Sequence, residues 1–132
     1  MKVILVEPDT AARPVEIEKG IHAMQEIVGG FIEAIYPWED SVALICNEEG
    51  KIDGLPLNRV LEDYDIIAGT FFICGIEEEG FCSLTDQQMK EYQQKFQFPE
   101  RFVDTPDGLV VVQLIPWGDP EKKTKKQPDY ER

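Results

Sequence analysis

Apolar residues fall along this chain in short runs separated by turn chemistry, and the spacing inside each run predicts its element. Val3 to Val6 is an unbroken β-branched and aliphatic run, which predicts a buried strand ended by Glu7-Pro8-Asp9-Thr10. Between Ala11 and Gly30, residues Ile17, Ile21, Met24, Ile27 and Val28 recur at helical spacing and define one apolar face. Lys19, His22, Gln25 and Glu26 occupy the other face, and Gly29-Gly30 supplies a left-handed stop. Pro14 to Ile17 alternates, so the helix begins either there or after a short extended piece.

Phe31 to Tyr36 is rich in strand formers and is closed by Pro37-Trp38-Glu39-Asp40; Val42 to Cys46 is a second apolar run. Strand, short turn and strand predict an antiparallel hairpin. Asn47 to Lys51 is a further turn, with Gly50 placed for a positive φ, and Ile52 begins a third strand limited by Gly54 and Pro56. Asn58 to Asp65 reads as a helical turn or an irregular loop with Val60 and Leu61 facing inward. Ile66 to Ile76, the most apolar stretch, predicts an interior strand in which Gly69 marks a bulge or a close backbone approach.

Glu77 to Gly80 is a solvated turn, after which Phe81-Cys82-Ser83 returns as a short strand. Thr85 with Gln88 three residues on forms a capping box, and Leu84 with Met89 forms its hydrophobic staple. Met89, Tyr92 and Phe96 carry that second helix to Phe98-Pro99. Leu109 to Ile115 is a last strand after the Pro106-Asp107-Gly108 turn. The order predicts a single small α+β domain over residues 1–117, a mostly antiparallel sheet with two main helices on one face. Residues 118–132 lack apolar period and predict a disordered charged tail.

Composition changes this picture in two respects. The chain carries 13 basic against 26 acidic residues, a net charge of −13, with nearly all of the excess acid before residue 104. Such a body has no basic footprint for phosphate backbones, so direct nucleic-acid binding is not expected. The acid serves solubility, meets a basic partner surface or imitates a nucleic acid. Second, the 3 cysteines are odd in number and without C-x-x-C spacing, and Cys46 and Cys74 sit inside apolar runs. That suits buried thiols in a reducing compartment. No run approaches the roughly 18 apolar residues of a membrane span, and the N-terminal MKVILVEPD reads as a strand rather than a signal peptide. A cytoplasmic protein with no membrane association is the expectation.

Candidate chemistry is sparse. The 1 histidine, His22, lies on a polar helix face without a visible partner, and no zinc or calcium spacing appears, so neither a catalytic residue, a metal nor a cofactor is expected. Phosphate loops and the G-x-S-x-G nucleophile turn are absent. What stands out is Val42 to Val60, where Asn47, Glu48, Asn58 and Arg59 bracket apolar residues and Leu55-Pro56-Leu57 stiffens the intervening loop. These four residues are the candidate ligand-binding set. Arg59 either forms an Arg–carboxylate clamp that holds the loop or grips an anion with its planar fork.

The same residues carry a resemblance. Val28-Gly29-Gly30 leading into Ile32-Glu33, Asn47-Glu48-Glu49-Gly50-Lys51 and Gly54-Leu55-Pro56-Leu57-Asn58-Arg59 form the main pattern. Asp65-Ile66-Ile67-Ala68-Gly69-Thr70 and Ser83-Leu84-Thr85 complete it over most of residues 1–98. The pattern resembles an uncharacterised domain-of-unknown-function family of bacteriophages and of conjugative or integrative mobile elements of Gram-positive bacteria. The resemblance implies a setting and no mechanism. Three functions stand as expectations: a non-enzymatic acidic binding protein acting on a host protein with a basic surface, a sequestering protein for a small anionic or nucleotide-like ligand using the Gly54–Arg59 loop, and an unrecognised enzyme. Oligomeric state is left open.

Overall fold

The fold is that of a computed structural model, which describes residues 1–62 and 65–115; the charged tail foreseen at 118–132 lies outside the described residues. The chain runs β1 (Lys2–Val6), β2 (Arg13–Glu16), α1 (Ile21–Val28), β3 (Ile32–Ile35), β4 (Val42–Asn47), β5 (Leu57–Leu61), β6 (Asp65–Ala68), β7 (Phe71–Glu77), β8 (Gly80–Cys82), α2 (Asp86–Lys95), β9 (Glu100–Thr105) and β10 (Gly108–Gln113). The main sheet has the order β2-β1-β7-β4-β3, with β8 paired to the end of β7. β5 and β6 form a separate hairpin, and so do β9 and β10. Every strand pair among the described residues is antiparallel. Strands far outweigh helices, so α+β fits only loosely. No helix among the described residues is long and apolar enough to cross a membrane.

Why β1, β4 and β7 are continuously apolar is explained by their cover. Ile4, Val6, Leu44, Phe71 and Ile73 face one core with Leu61, Ile67, Tyr92 and Phe96. Val3, Leu5, Ala43, Ile45 and Phe72 face another with Met24 and Val28. One face therefore takes α2 and the β5–β6 hairpin, and the opposite face takes α1. The expectation of both helices on one face is corrected. Both faces must be apolar because both are covered, and alternation disappears from the sequence.

Several local expectations are met. β3 and β4 pair as a hairpin, with Ala34 opposite Ile45. Thr85 and Gln88 form the reciprocal capping box at the start of α2, and Leu84 and Met89 both meet the core there. Pro14 belongs to a short strand, so α1 starts only at Ile21. Gly29 closes that helix at φ 80.

Other expectations are corrected. Asn58 to Leu61 is strand rather than helical turn or loop, and Ile52 lies in a turn with its side chain exposed instead of starting a strand. The long apolar stretch is two strands of two different sheets, split at Gly69 with φ 84. A Cβ at Gly69 would also stand 2.7 Å from Leu55 Cδ1, so turn and close approach both select glycine there. Gly50 does not take a positive φ; it is required because a Cβ would meet the Ala68 carbonyl oxygen at 2.7 Å. β9, unforeseen, is the partner of the last strand.

α2 is fastened to the sheet by a polar contact as well as by apolar packing. The Tyr92 hydroxyl donates to Asp40 Oδ2 at 2.8 Å. Gln88 Nε2 and the Ser41 N–H donate to Asp40 Oδ1 at 3.1 and 2.7 Å. Partial burial works to raise the Asp40 pKa, but these three donors together hold it below the ordinary aspartate value. Burial and the facing carboxylate push the Tyr92 hydroxyl up, so it stays a proton donor. Because the Asp40 pKa is lower folded than unfolded, its contribution is complete above the unfolded value and is lost as pH falls through the folded one. Urea titrations of the wild type and Asp40→Asn should show a variant weaker by about 1 kcal/mol at pH 7. Between about pH 5 and pH 3 the wild type should lose stability more steeply than the variant; parallel acid slopes would refute this role for Asp40.

Candidate functional site

The stretch singled out in the sequence builds two separate polar centres. The first is set by an irregularity in β5. Leu57 stands opposite Ala68 and Arg59 opposite Ile67, so the ladder slips by one residue at Asn58. A bulge of this kind re-aims side chains. Here it lets consecutive residues turn inward together: Asn58 and Arg59 are both 0% exposed.

Most of their donors go to backbone carbonyls. Asn58 Nδ2 donates to Val6 O at 3.0 Å and to Gly69 O at 2.8 Å, joining the end of β1 to the β6–β7 turn. Asn58 Oδ1 accepts from Arg59 Nη1 at 2.8 Å, and Asn58 O accepts from the same nitrogen at 3.3 Å. Arg59 Nη2 donates to Thr10 O at 2.6 Å and to Phe96 O at 2.9 Å. Arg59 thus ties β5 to the β1–β2 loop and to the C-terminal end of α2, where a helix presents unpaired carbonyls and its negative dipole end. No carboxylate among the described residues forms an ion pair with it. Burial lowers the Arg59 pKa, and Glu100 and Asp9 act against that from a distance. A guanidinium nonetheless stays protonated. Arg59 Nε is buried without a hydrogen-bond partner. The Arg–carboxylate clamp expected at Arg59 is not formed among the described residues; the fork is held instead by carbonyl oxygens and Asn58 Oδ1.

The second centre lies at the end of β4. Asn47, only 8% exposed, donates from Nδ2 to Val28 O at 3.1 Å and accepts the Glu49 N–H at 2.8 Å. It therefore holds the last turn of α1 and the loop after β4 at once. Glu48 is exposed, and its N–H donates to Phe31 O at 2.9 Å. A groove of about 270 Å³ opens beside these residues, between the β4–β5 connection and β6. Glu33, Glu48, Glu49, Lys51 and Asp65 stand on its walls, and Lys51 is salt-bridged to Asp65 across it. Among the described residues, no hydrogen bond joins Asn47 or Glu48 to Asn58 or Arg59.

Asn47 and Glu48 thus border an open groove, whereas Arg59 is fully buried and both of its Nη nitrogens are already occupied. His22 is exposed on α1. Cys46 and Cys74 are buried, and burial pushes their thiols up to about 11 and about 12. No group of three or more histidine, cysteine, aspartate or glutamate side chains among the described residues is placed to hold a metal ion. Sequence reasoning placed Asp40 in a turn and Gln88 and Tyr92 on the second helix but missed the contact that joins them, since nothing local ties Asp40 to a helix 48 residues on.

What the geometry defines is a small antiparallel-sheet domain sealed on both faces, with its buried polar residues spent on its own backbone. Residues 1–97 match the model of a domain of unknown function, DUF3846, and the chain belongs to that family. No curated protein and no solved structure matches it.

The clamp makes a specific stability prediction. Arg59→Ala removes donors from Thr10, Phe96 and Asn58 and leaves a cavity, which should cost about 3–5 kcal/mol. Arg59→Lys keeps the charge but cannot reproduce the fork, and should still cost about 2 kcal/mol or more. Denaturant midpoints check both, with the slope unchanged; a lysine variant as stable as the wild type would refute the fork geometry.

Proposed function

We propose that the protein is a non-enzymatic acidic binding protein, of the kind carried by phages and mobile elements, which acts by occupying a basic surface on a host protein. The observation that carries this reading is the groove beside Asn47 and Glu48. Its exposed carboxylates, Glu33, Glu48 and Glu49, lack ion-pair partners among the described residues, while Lys51 is neutralised by Asp65. In a chain of net charge −13 such a face steers a cationic partner and repels acidic ones. Asn47 keeps the acidic turn fixed through its bonds to Val28 O and Glu49 N–H, so binding needs little ordering of the loop.

The test is retention of proteins from a Gram-positive bacterial lysate on the immobilised full-length chain. A partner should be held at about 50 mM salt and released by about 500 mM, where screening is several-fold shorter in range. Glu48→Lys with Glu49→Lys should weaken retention by about tenfold or more. Glu78→Lys with Glu79→Lys, the same charge change on the β7–β8 turn, should leave it within about twofold. Equal loss in both variants, or no salt-sensitive partner for the wild type, would overturn the reading.

A further inference from the structure

The main sheet ends in β2 on one side and β3 on the other, and the two edges are not alike. At β2, Ile17 N–H donates to Met1 O at 2.9 Å and the Met1 ammonium donates to Ile17 O at 2.8 Å. Antiparallel ladders alternate, so Val15 and Arg13 bond to β1 while Pro14 and Glu16 face outward. Pro14 has no N–H to offer, and that edge is blunted against a further strand.

At β3, Glu48 N–H donates to Phe31 O at 2.9 Å. The same alternation gives Glu33 and Ile35 to β4 and turns the N–H and C=O of Ile32 and Ala34 outward. No backbone group among the described residues pairs with those four. β3 has neither a proline nor a register shift. Exposed aromatics, a residue type enriched at interfaces, stand at its two ends: Phe31 at 72% and Tyr36 at 55%.

Glu33 decides what can dock there. It is exposed between Ile32 and Ala34, stands on the wall of the acidic groove with Glu48 and Glu49, and has no ion-pair partner among the described residues. A charge guards an edge only against like charge. A second copy bonding through both Ile32 and Ala34 in antiparallel register sets Glu33 against Glu33, which destabilises the pair. An acidic strand meets the same repulsion. In an added strand the residue opposite Glu33 belongs to the non-hydrogen-bonded pair, where side chains approach most closely. A lysine or arginine at that position meets Glu33 at the mouth of the groove. Ile32 and Ala34 pack with the α1 core, so apolar residues opposite them extend that face.

We propose that β3 receives an extended basic segment of the partner as an added antiparallel strand, with apolar residues opposite Ile32 and Ala34 and a lysine or arginine opposite Glu33. Main-chain bonds supply the affinity and the alternating side chains the selectivity. This mode of attachment rests on the acidic-binding reading of the same groove.

A synthetic peptide of alternating valine and arginine, about nine residues long, probes this edge by fluorescence anisotropy with the full chain at about 50 mM salt. It should bind in the range of about 10–100 µM, and its counterpart with glutamate for arginine should not bind. Opposite Ile32 and Ala34 the valine amides point to β3, whereas the arginine amides point away. N-methylation of the valines should therefore weaken binding by about tenfold or more, and N-methylation of the arginines should leave it within about twofold. Glu33→Lys should also weaken it by about tenfold or more, while Glu79→Lys, the same change on the β7–β8 turn, should stay within about twofold. Amide exchange reads the protein side: Ile32 and Ala34 should slow when peptide is added, while Glu33 and Ile35 are protected by β4 throughout. Equal binding of the two methylated peptides overturns strand addition and leaves attraction by charge, so the acidic-binding reading survives it. No binding of the valine–arginine peptide, or Ile32 and Ala34 amides already protected in its absence, overturns the added strand as well. Salt-sensitive retention of a host protein tests the other reading separately.

Discussion

A buried guanidinium held by carbonyl oxygens is the constraint on which the rest of this structure depends. Taking an ion out of water costs several kcal/mol, and the cost is recovered only when its donors meet well-placed acceptors. Arg59 meets them on Thr10, Asn58 and Phe96, three points of the chain that apolar contact alone does not hold in register. The dependence is mutual. Phe96 O ends a helix, and Val6 O and Gly69 O, held through Asn58, end strands of the main sheet and of the β5–β6 hairpin. Carbonyls at such places need donors once they are buried. Lysine offers a point charge, whereas arginine offers a planar fork that spans separated acceptors.

This centre fixes how the second layer sits on the sheet. α2 and the β5–β6 hairpin share one core with Phe71, Ile73 and Leu44. Phe96 packs edge-on against Phe71 at 5.4 Å between ring centroids, while its carbonyl accepts from Arg59. Further along the helix, Trp38 lies 4.9 Å from Tyr92, whose hydroxyl reaches Asp40. Apolar burial supplies most of the attraction between the layers and is indifferent to direction. The two polar attachments give the helix its rotation and its height on the sheet. α1 has no comparable pair and is located by Met24, Val28 and the Asn47 bond to Val28 O.

What the sequence revealed divides along this line between local and distant causes. The capping box, the β3–β4 hairpin and the return of Phe81 and Cys82 rest on neighbours within a few residues, and they were legible. β5 was not, because a buried Asn-Arg pair interrupts the apolar pattern and its bulge breaks the period of two. Ile66 to Ile76 looked like one strand because Gly69 and Thr70 sit between two fully apolar flanks. β9 was hidden by its own charges, since only one partner strand asks anything of ERFVDT. Arg59 was recognisable as unusual, yet its acceptors are carbonyls, which every residue has. No side-chain pattern announces them. Asn47 was noticed for its composition, while its bond to the end of α1 comes from the fold.

The position of Phe96 has a consequence for how this protein can change over time. The last acceptor of the clamp falls one residue before the family domain ends, so the domain is locked shut by residues that precede Phe98. The β9–β10 ribbon beyond it is attached more lightly, through Glu100 on the Val60 N–H and Arg101 on Asp9. An appendage joined in this way is open to replacement: one hairpin can be exchanged for another, or lost, without the core being renegotiated. Substitutions in the ribbon then fall on residues that the sealed domain does not use to hold itself together.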